Sequence, residues 1–140
     1  MKNRTLAIIK PDAVRKRLTG KIIDRILDQG FDIVALRQEH LTRDQAEEFY
    51  AVHRDRGFFH DLVEFMITGP CVVMVLEKER AVDDFRTLMG TTDPSRASEG
   101  TIRREFAEDI QRNAVHGSDS DENASKEIAF FFPSIEIPTR

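Results

Sequence analysis

Residues 69–90 read GPCVVMVLEKERAVDDFRTLMG, and this stretch holds a strand, a helix and a stop signal beside each. Gly69-Pro70 is a turn pair, and a proline has no N–H to give a sheet ladder, so a strand starts after it. Cys71 to Glu77 opens with the chain's longest apolar run, CVVMVL, which is strand length and rich in valine. Ala81 to Met89 changes period: Val82, Phe85 and Met89 fall on one helical face, and Gly90 stops the helix. Outward from here the same alternation recurs. Thr5 to Lys10 is a buried strand ended by Pro11, which suits the first position of the short helix PDAVRKR. Lys21 to Gln29 is a helix with Ile22, Ile23, Ile26 and Leu27 on one face and Gly30 as its stop. Ile33 to Leu41 is a second strand. Thr42 caps a helix in LTRDQAEEFYAVH whose stripe is Ala46, Phe49, Tyr50 and His53, and Phe58 to Ile67 is another helix. After Gly90 come a TTDP turn, a short helix in TIRREFAEDI, a short strand at AVHG and a closing helix from Asp121 to Phe132. Strands alternating with helices give one layered α/β structure, and four short strands are too few for a large doubly wound sheet. The economical expectation is a βαββαβ sheet with helices on one side.

At 140 residues the chain is one domain, 1–140, with no linker, repeat or low-complexity tract. Apolar residues at 40% and charged residues at 33% describe an ordinary globular composition. The 21 Lys and Arg against 25 Asp and Glu leave a formal charge of −4, which disfavours a general nucleic-acid coat. It leaves room for a small anionic ligand, for which the local field decides. A bilayer helix needs ~20 apolar residues, far more than the longest run, so no membrane span is expected. The apolar stretch Leu6 to Ile9 is too short for a secretory core, and the single cysteine, Cys71, has no internal partner; both lead to the expectation of a reducing cytoplasm.

Several polar side chains stand where the period asks for apolar ones: Lys10, Tyr50, Arg86 and Glu127. Each either flanks its stripe and reaches solvent, or meets a partner or ligand in a cleft, since an unpaired buried charge is costly. Periodicity alone does not separate the two. Among the histidines, His116 stands apart, in NAVHGSDS before Gly117, which gives the backbone freedom to approach a ligand. An imidazole with one ring nitrogen held by a hydrogen bond keeps a nucleophilic lone pair on the other, and Glu127 is a candidate for that hold. No His/Cys/Asp cluster has metal-ligand spacing, and no Gly-rich phosphate loop is present. Phosphates would therefore need cationic side chains, for which Arg86 and Arg103 are suited. Phe58 or Phe59 offers a ring for stacking a base, or a place in the core.

Six ordered blocks resemble the nucleoside diphosphate kinase family across nearly the whole chain. They are TLAIIKPDAV, FMITGPCVVMVLE, RTLMGTTDP, GTIRREFA, NAVHGSDS and EIAFFF. The resemblance implies an α+β, ferredoxin-like βαββαβ sandwich, with a four-stranded antiparallel sheet and surrounding helices. It implies ping-pong transfer of the γ-phosphate from a nucleoside triphosphate to a diphosphate, maintaining NTP and dNTP pools. His116 would be the nucleophile through Nδ1, with Tyr50 close by and Ser118 and Glu127 supporting the imidazole. Lys10 and Asn113 would contact ribose hydroxyls, Lys10 also the transferred phosphate. Arg86, Thr92 and Arg103 would hold phosphates, and Phe58 and Ile110 would sandwich the base. Mg²⁺ is expected on the nucleotide phosphates with few or no protein ligands. A homo-oligomer, a tetramer or hexamer built from dimers, is implied, with no membrane and no specific nucleic acid as partner. Two positions depart from the family pattern: Gly57 and Glu99 stand where proline is common, which loosens both loops.

Overall fold

Successive residues of a strand point to opposite faces, and here both faces are covered. The computed structural model of the chain describes residues 2–133. Its strands are β1 (Lys2–Ile9), β2 (Asp32–Glu39), β3 (Cys71–Glu79) and β4 (Val115–Gly117). They form one antiparallel sheet in the order β2-β3-β1-β4. Leu6, Ile8, Val73 and Val75 pack on one face against Ala46, Val63, Met66 and Phe131. Ala7, Ile9, Met74 and Leu76 pack on the other against Ala13, Ile22, Ile26 and Phe85. The expectation of helices on one side is thus corrected. The runs LAII and VVMVL are continuous because each residue of both parities meets a core.

The helices are α1 (Pro11–Arg15), α2 (Thr19–Asp28), α3 (Arg43–Phe49), α4 (Phe59–Met66), α5 (Ala81–Met89), α6 (Ile102–Phe106) and α7 (Asp121–Phe131). Thr42 caps α3 as expected, in a capping box with Gln45. That helix ends at Phe49, however, and the predicted continuation becomes a tight turn at Ala51–His53. The α6 segment is shorter than TIRREFAEDI suggests: it stops at Phe106, and the Glu108 N–H bonds the Arg112 carbonyl across a loop instead. Gly90 ends α5 with φ +84°, and a Cβ there would meet Thr101 Oγ1 at 2.7 Å, so only glycine fits. Among the described residues no helix is long and apolar enough to cross a membrane.

Candidate active site

The site is assembled along one stretch of backbone, residues 110–118. β4 sits at the sheet edge opposite β2 and pairs with β1, placing His116 across from Ile8 and Val115 across from Ile9. His116 Nε2 lies 2.8 Å from Glu127 Oε1 on α7. Ser118 Oγ donates to the same oxygen at 2.9 Å, while the Leu6 N–H donates to Ser118 Oγ at 3.2 Å. An ionised carboxylate only accepts, so Nε2 carries the ring hydrogen and Nδ1 keeps its lone pair. The ring stands edge-on to Phe49, with centroids 5.5 Å apart, and to Tyr50 at 6.4 Å. Tyr50 is buried with its hydroxyl unpartnered among the described residues, and burial pushes its phenol well above the ordinary value.

Three cations bond the chain on either side of this histidine. Lys10 closes β1, and its Nζ donates to Asn113 Oδ1 at 2.9 Å. Arg103 on α6 is also buried and donates to the carbonyls of Gly90 at 3.0 Å and Val115 at 2.9 Å. Arg86 on α5 is exposed and donates to the Asp119 carbonyl at 3.2 Å. Burial, and then the charge of Arg103, lower the Lys10 ammonium to about 8. Burial and the charge of Arg86 lower Arg103 to about 10. The cations thus hold their protons against each other and against desolvation, which is the field an anion would relieve.

A cleft of about 860 Å³ lies alongside, lined by Arg86, Thr92, Arg103 and Gly117 among others. It brings together the three residues expected at phosphates and reaches the residue next to His116. Lys10, Asn113 and His116 are not part of its lining but are tied to Arg103 through the 113–116 backbone. Phe58 and Ile110 stand apart from both, each largely exposed on a loop. The Ile110 loop is tied to α4, which follows Phe58, where Gln111 Nε2 donates to the Asp61 carbonyl at 3.4 Å. Among the described residues no three His, Cys, Asp or Glu side chains converge as a metal site would require.

The sequence reading did not single out Asp12 or Ala114. Asp12 is buried on α1, and its Oδ2 accepts from the Ala114 N–H at 3.1 Å. Ala114 holds φ +73°, a left-handed conformation that is uncommon without a side-chain or backbone constraint. The reading of Gly117 is also corrected. Its missing Cβ makes room for Phe85 and Met89 of α5, which a Cβ would approach to 2.6 and 2.8 Å, rather than for a ligand.

Comparison with known proteins points one way. A family model described as nucleoside diphosphate kinase matches residues 3–137. The chain is 60% identical over 137 residues to a nucleoside diphosphate kinase of Helicobacter pylori strain P12, covering 98% of this chain and 100% of the relative. It is 58% identical over 134 residues to a nucleoside diphosphate kinase of Chlorobium limicola, covering 96% of each. The crystal structure of the Aquifex aeolicus nucleoside diphosphate kinase superposes with a TM-score of 0.96 at 46% identity, covering 99% of this chain and 100% of that one.

Proposed function

The chain belongs to the nucleoside diphosphate kinase family, and on that premise we propose that His116 carries the phosphoryl group between its two nucleotides. The activity is that of a nucleoside diphosphate kinase: a nucleoside diphosphate is phosphorylated at the expense of a triphosphate. In the proposed first half-reaction the Nδ1 lone pair attacks the γ-phosphorus. The Nδ1–P bond forms as the bond to the β–γ bridging oxygen breaks, and the diphosphate leaves with that electron pair. In the second half a terminal oxygen of the acceptor diphosphate attacks the phosphorus, and the electron pair returns to Nδ1. The observation that carries this reading is the Glu127 contact at 2.8 Å, which fixes the hydrogen on Nε2 and leaves Nδ1 its lone pair. Glu127 would also stabilise the positive charge the ring gains on phosphorylation, and Ser118 would orient Glu127. Lys10, Arg86, Arg103 and the Thr92 hydroxyl would hold the phosphate oxygens where charge develops, the main demand of phosphoryl transfer. Asn113 and Lys10 would take ribose hydroxyls, and Phe58 and Ile110 the two faces of the base. Tyr50 would wall the imidazole.

Mg²⁺ fits this site as a passenger on the substrate: the local donors are cations, so phosphate oxygens would supply its ligands, and it would offset their charge. Assembly from dimers into a tetramer or hexamer belongs to the same reading, and light scattering would distinguish the two. A cytoplasmic setting agrees with a lone buried cysteine. The closing SIEIPTR tail lies outside the described residues. The deciding experiment incubates the protein with γ-labelled ATP. The expected result is acid-labile, alkali-stable label that is absent from His116→Ala and is chased off by added diphosphate. An unlabelled wild-type chain that still turns over would overturn the role of His116.

A further inference from the structure

Asp12 is a buried carboxylate facing the site, and the mechanism above makes no use of it. Its Oδ2 takes the Ala114 N–H at 3.1 Å, while Oδ1, also buried, lies by the first-turn amides of α1 without a formed hydrogen bond. A buried acid is expensive, and burial raises its proton affinity, against the backbone amides and the Lys10 charge that favour its ionised form. What it holds is the hinge of the site. Ala114 is strained at φ +73°, and its carbonyl accepts from the Lys10 N–H at 2.8 Å. The residue before it, Asn113, holds Lys10 Nζ; the residue after it, Val115, accepts from Arg103. His116 is two residues on.

We propose that Asp12 is a positioning residue for phosphoryl transfer: it locks the Ala114 peptide in the conformation that holds Lys10, Asn113 and Arg103 on the backbone leading into His116. The proposal rests on the role given to Lys10 above. The charged groups that bear on Lys10 are Asp12 on α1, Arg103 on α6 and, through Arg103, Arg86 on α5; Arg112 in the preceding loop in turn senses Asp12. Asp12 opposes the others by raising the Lys10 proton affinity.

The test compares wild type with Asp12→Asn, Asp12→Glu and Asp12→Ala, reading melting temperature and the pH dependence of single-turnover His116 phosphorylation. Asn keeps the shape and an oxygen for the Ala114 N–H but removes the charge. It should fold, phosphorylate more slowly by on the order of tenfold, and show its alkaline loss of rate at lower pH than wild type. Ala should lose more, and Glu should return the alkaline limb toward wild type. A merely structural Asp12 would alter melting and leave that limb in place, which overturns the proposal. An Asn variant with unchanged rate and limb overturns it too, as does failure of both Asn and Glu variants to fold, which would make Asp12 a fold determinant. If wild type itself forms no phosphohistidine, the failure belongs to the His116 reading instead.

Discussion

At the scale of single residues, the proposed chemistry turns on one hydrogen. Glu127 and Ser118 act on the same imidazole, because both hydrogen bonds end on one carboxylate oxygen. Groups that act as a unit are not additive when removed. Glu127→Gln takes away the charge that holds the Nε2 hydrogen, a contact of the kind worth ~1.5–3 kcal/mol. It should slow His116 phosphorylation by at least tenfold at ~1.4 kcal/mol per decade. Ser118→Ala should cost less, and the double variant should cost clearly less than the two losses added. Single-turnover labelling with ATP measures all three; strict additivity would mean that Ser118 does not work through Glu127. His116 and Glu127 were legible in the sequence because each breaks a local pattern, a histidine among small polar residues and an acid on an apolar stripe. Asp12 was not, because an acid in the first turn of a helix is ordinary. Its partner, the Ala114 amide, lies 102 positions away.

At the scale of elements, two substitutions with opposite signs probe a turn and a strand beside the site. Ser98 to Thr101 form a turn closed by the Thr101 N–H on the Ser98 carbonyl at 3.3 Å, with Gly100 third at φ +88°. This is the geometry in which proline suits the second position, held here by Glu99. The Glu99 N–H makes no hydrogen bond among the described residues. Glu99→Pro should therefore stabilise by ~0.4–1 kcal/mol through the unfolded chain. Gly117→Ala should destabilise by ~1–3 kcal/mol, because its Cβ would overlap Phe85 and Met89 and push β4, with His116, off α5. Urea midpoints read both; a melting gain from Gly117→Ala, or a loss from Glu99→Pro, would contradict the geometry. The four strands and most helix faces could be seen from period and punctuation. The coverage of both sheet faces could not, since a short apolar run looks alike whether one face or two is buried until its neighbours are known. The end of α3 was hidden for a different reason: Tyr50 and His53 continue the helical spacing, while the backbone tightens after Phe49.

At the scale of the whole molecule, the burial of the Lys10 ammonium should be visible in stability against pH. The unfolded chain keeps the Lys10 proton up to about 10.5, whereas the folded chain releases it near about 8. Between those values the unfolded state binds more protons, so unfolding becomes harder as pH rises. Cys71 has the opposite sign: burial pushes its thiol from 9.0 up to about 12, so from pH 9 the folded state binds more protons and stability falls. Tyr50 adds to that fall from about pH 10, where Arg103, lowered to about 10, begins to oppose it. The net expectation is a rise in stability from pH 8 to 9, where Lys10 acts alone, and a flattening above it. Urea unfolding of three proteins separates the contributions. Wild type should show the rise and the plateau, Lys10→Met should lack the rise, and Cys71→Ala should keep rising past pH 9. The Lys10 contribution over its full range is on the order of a few kcal/mol. Stability that falls between pH 8 and 9, or a rise that survives in Lys10→Met, would show that Lys10 is not held against its preference. A saturating diphosphate supplies the functional half of the argument. Phosphate oxygens at the cations would restore the ammonium's ordinary proton affinity, so the bound protein should lose the rise that the free protein shows.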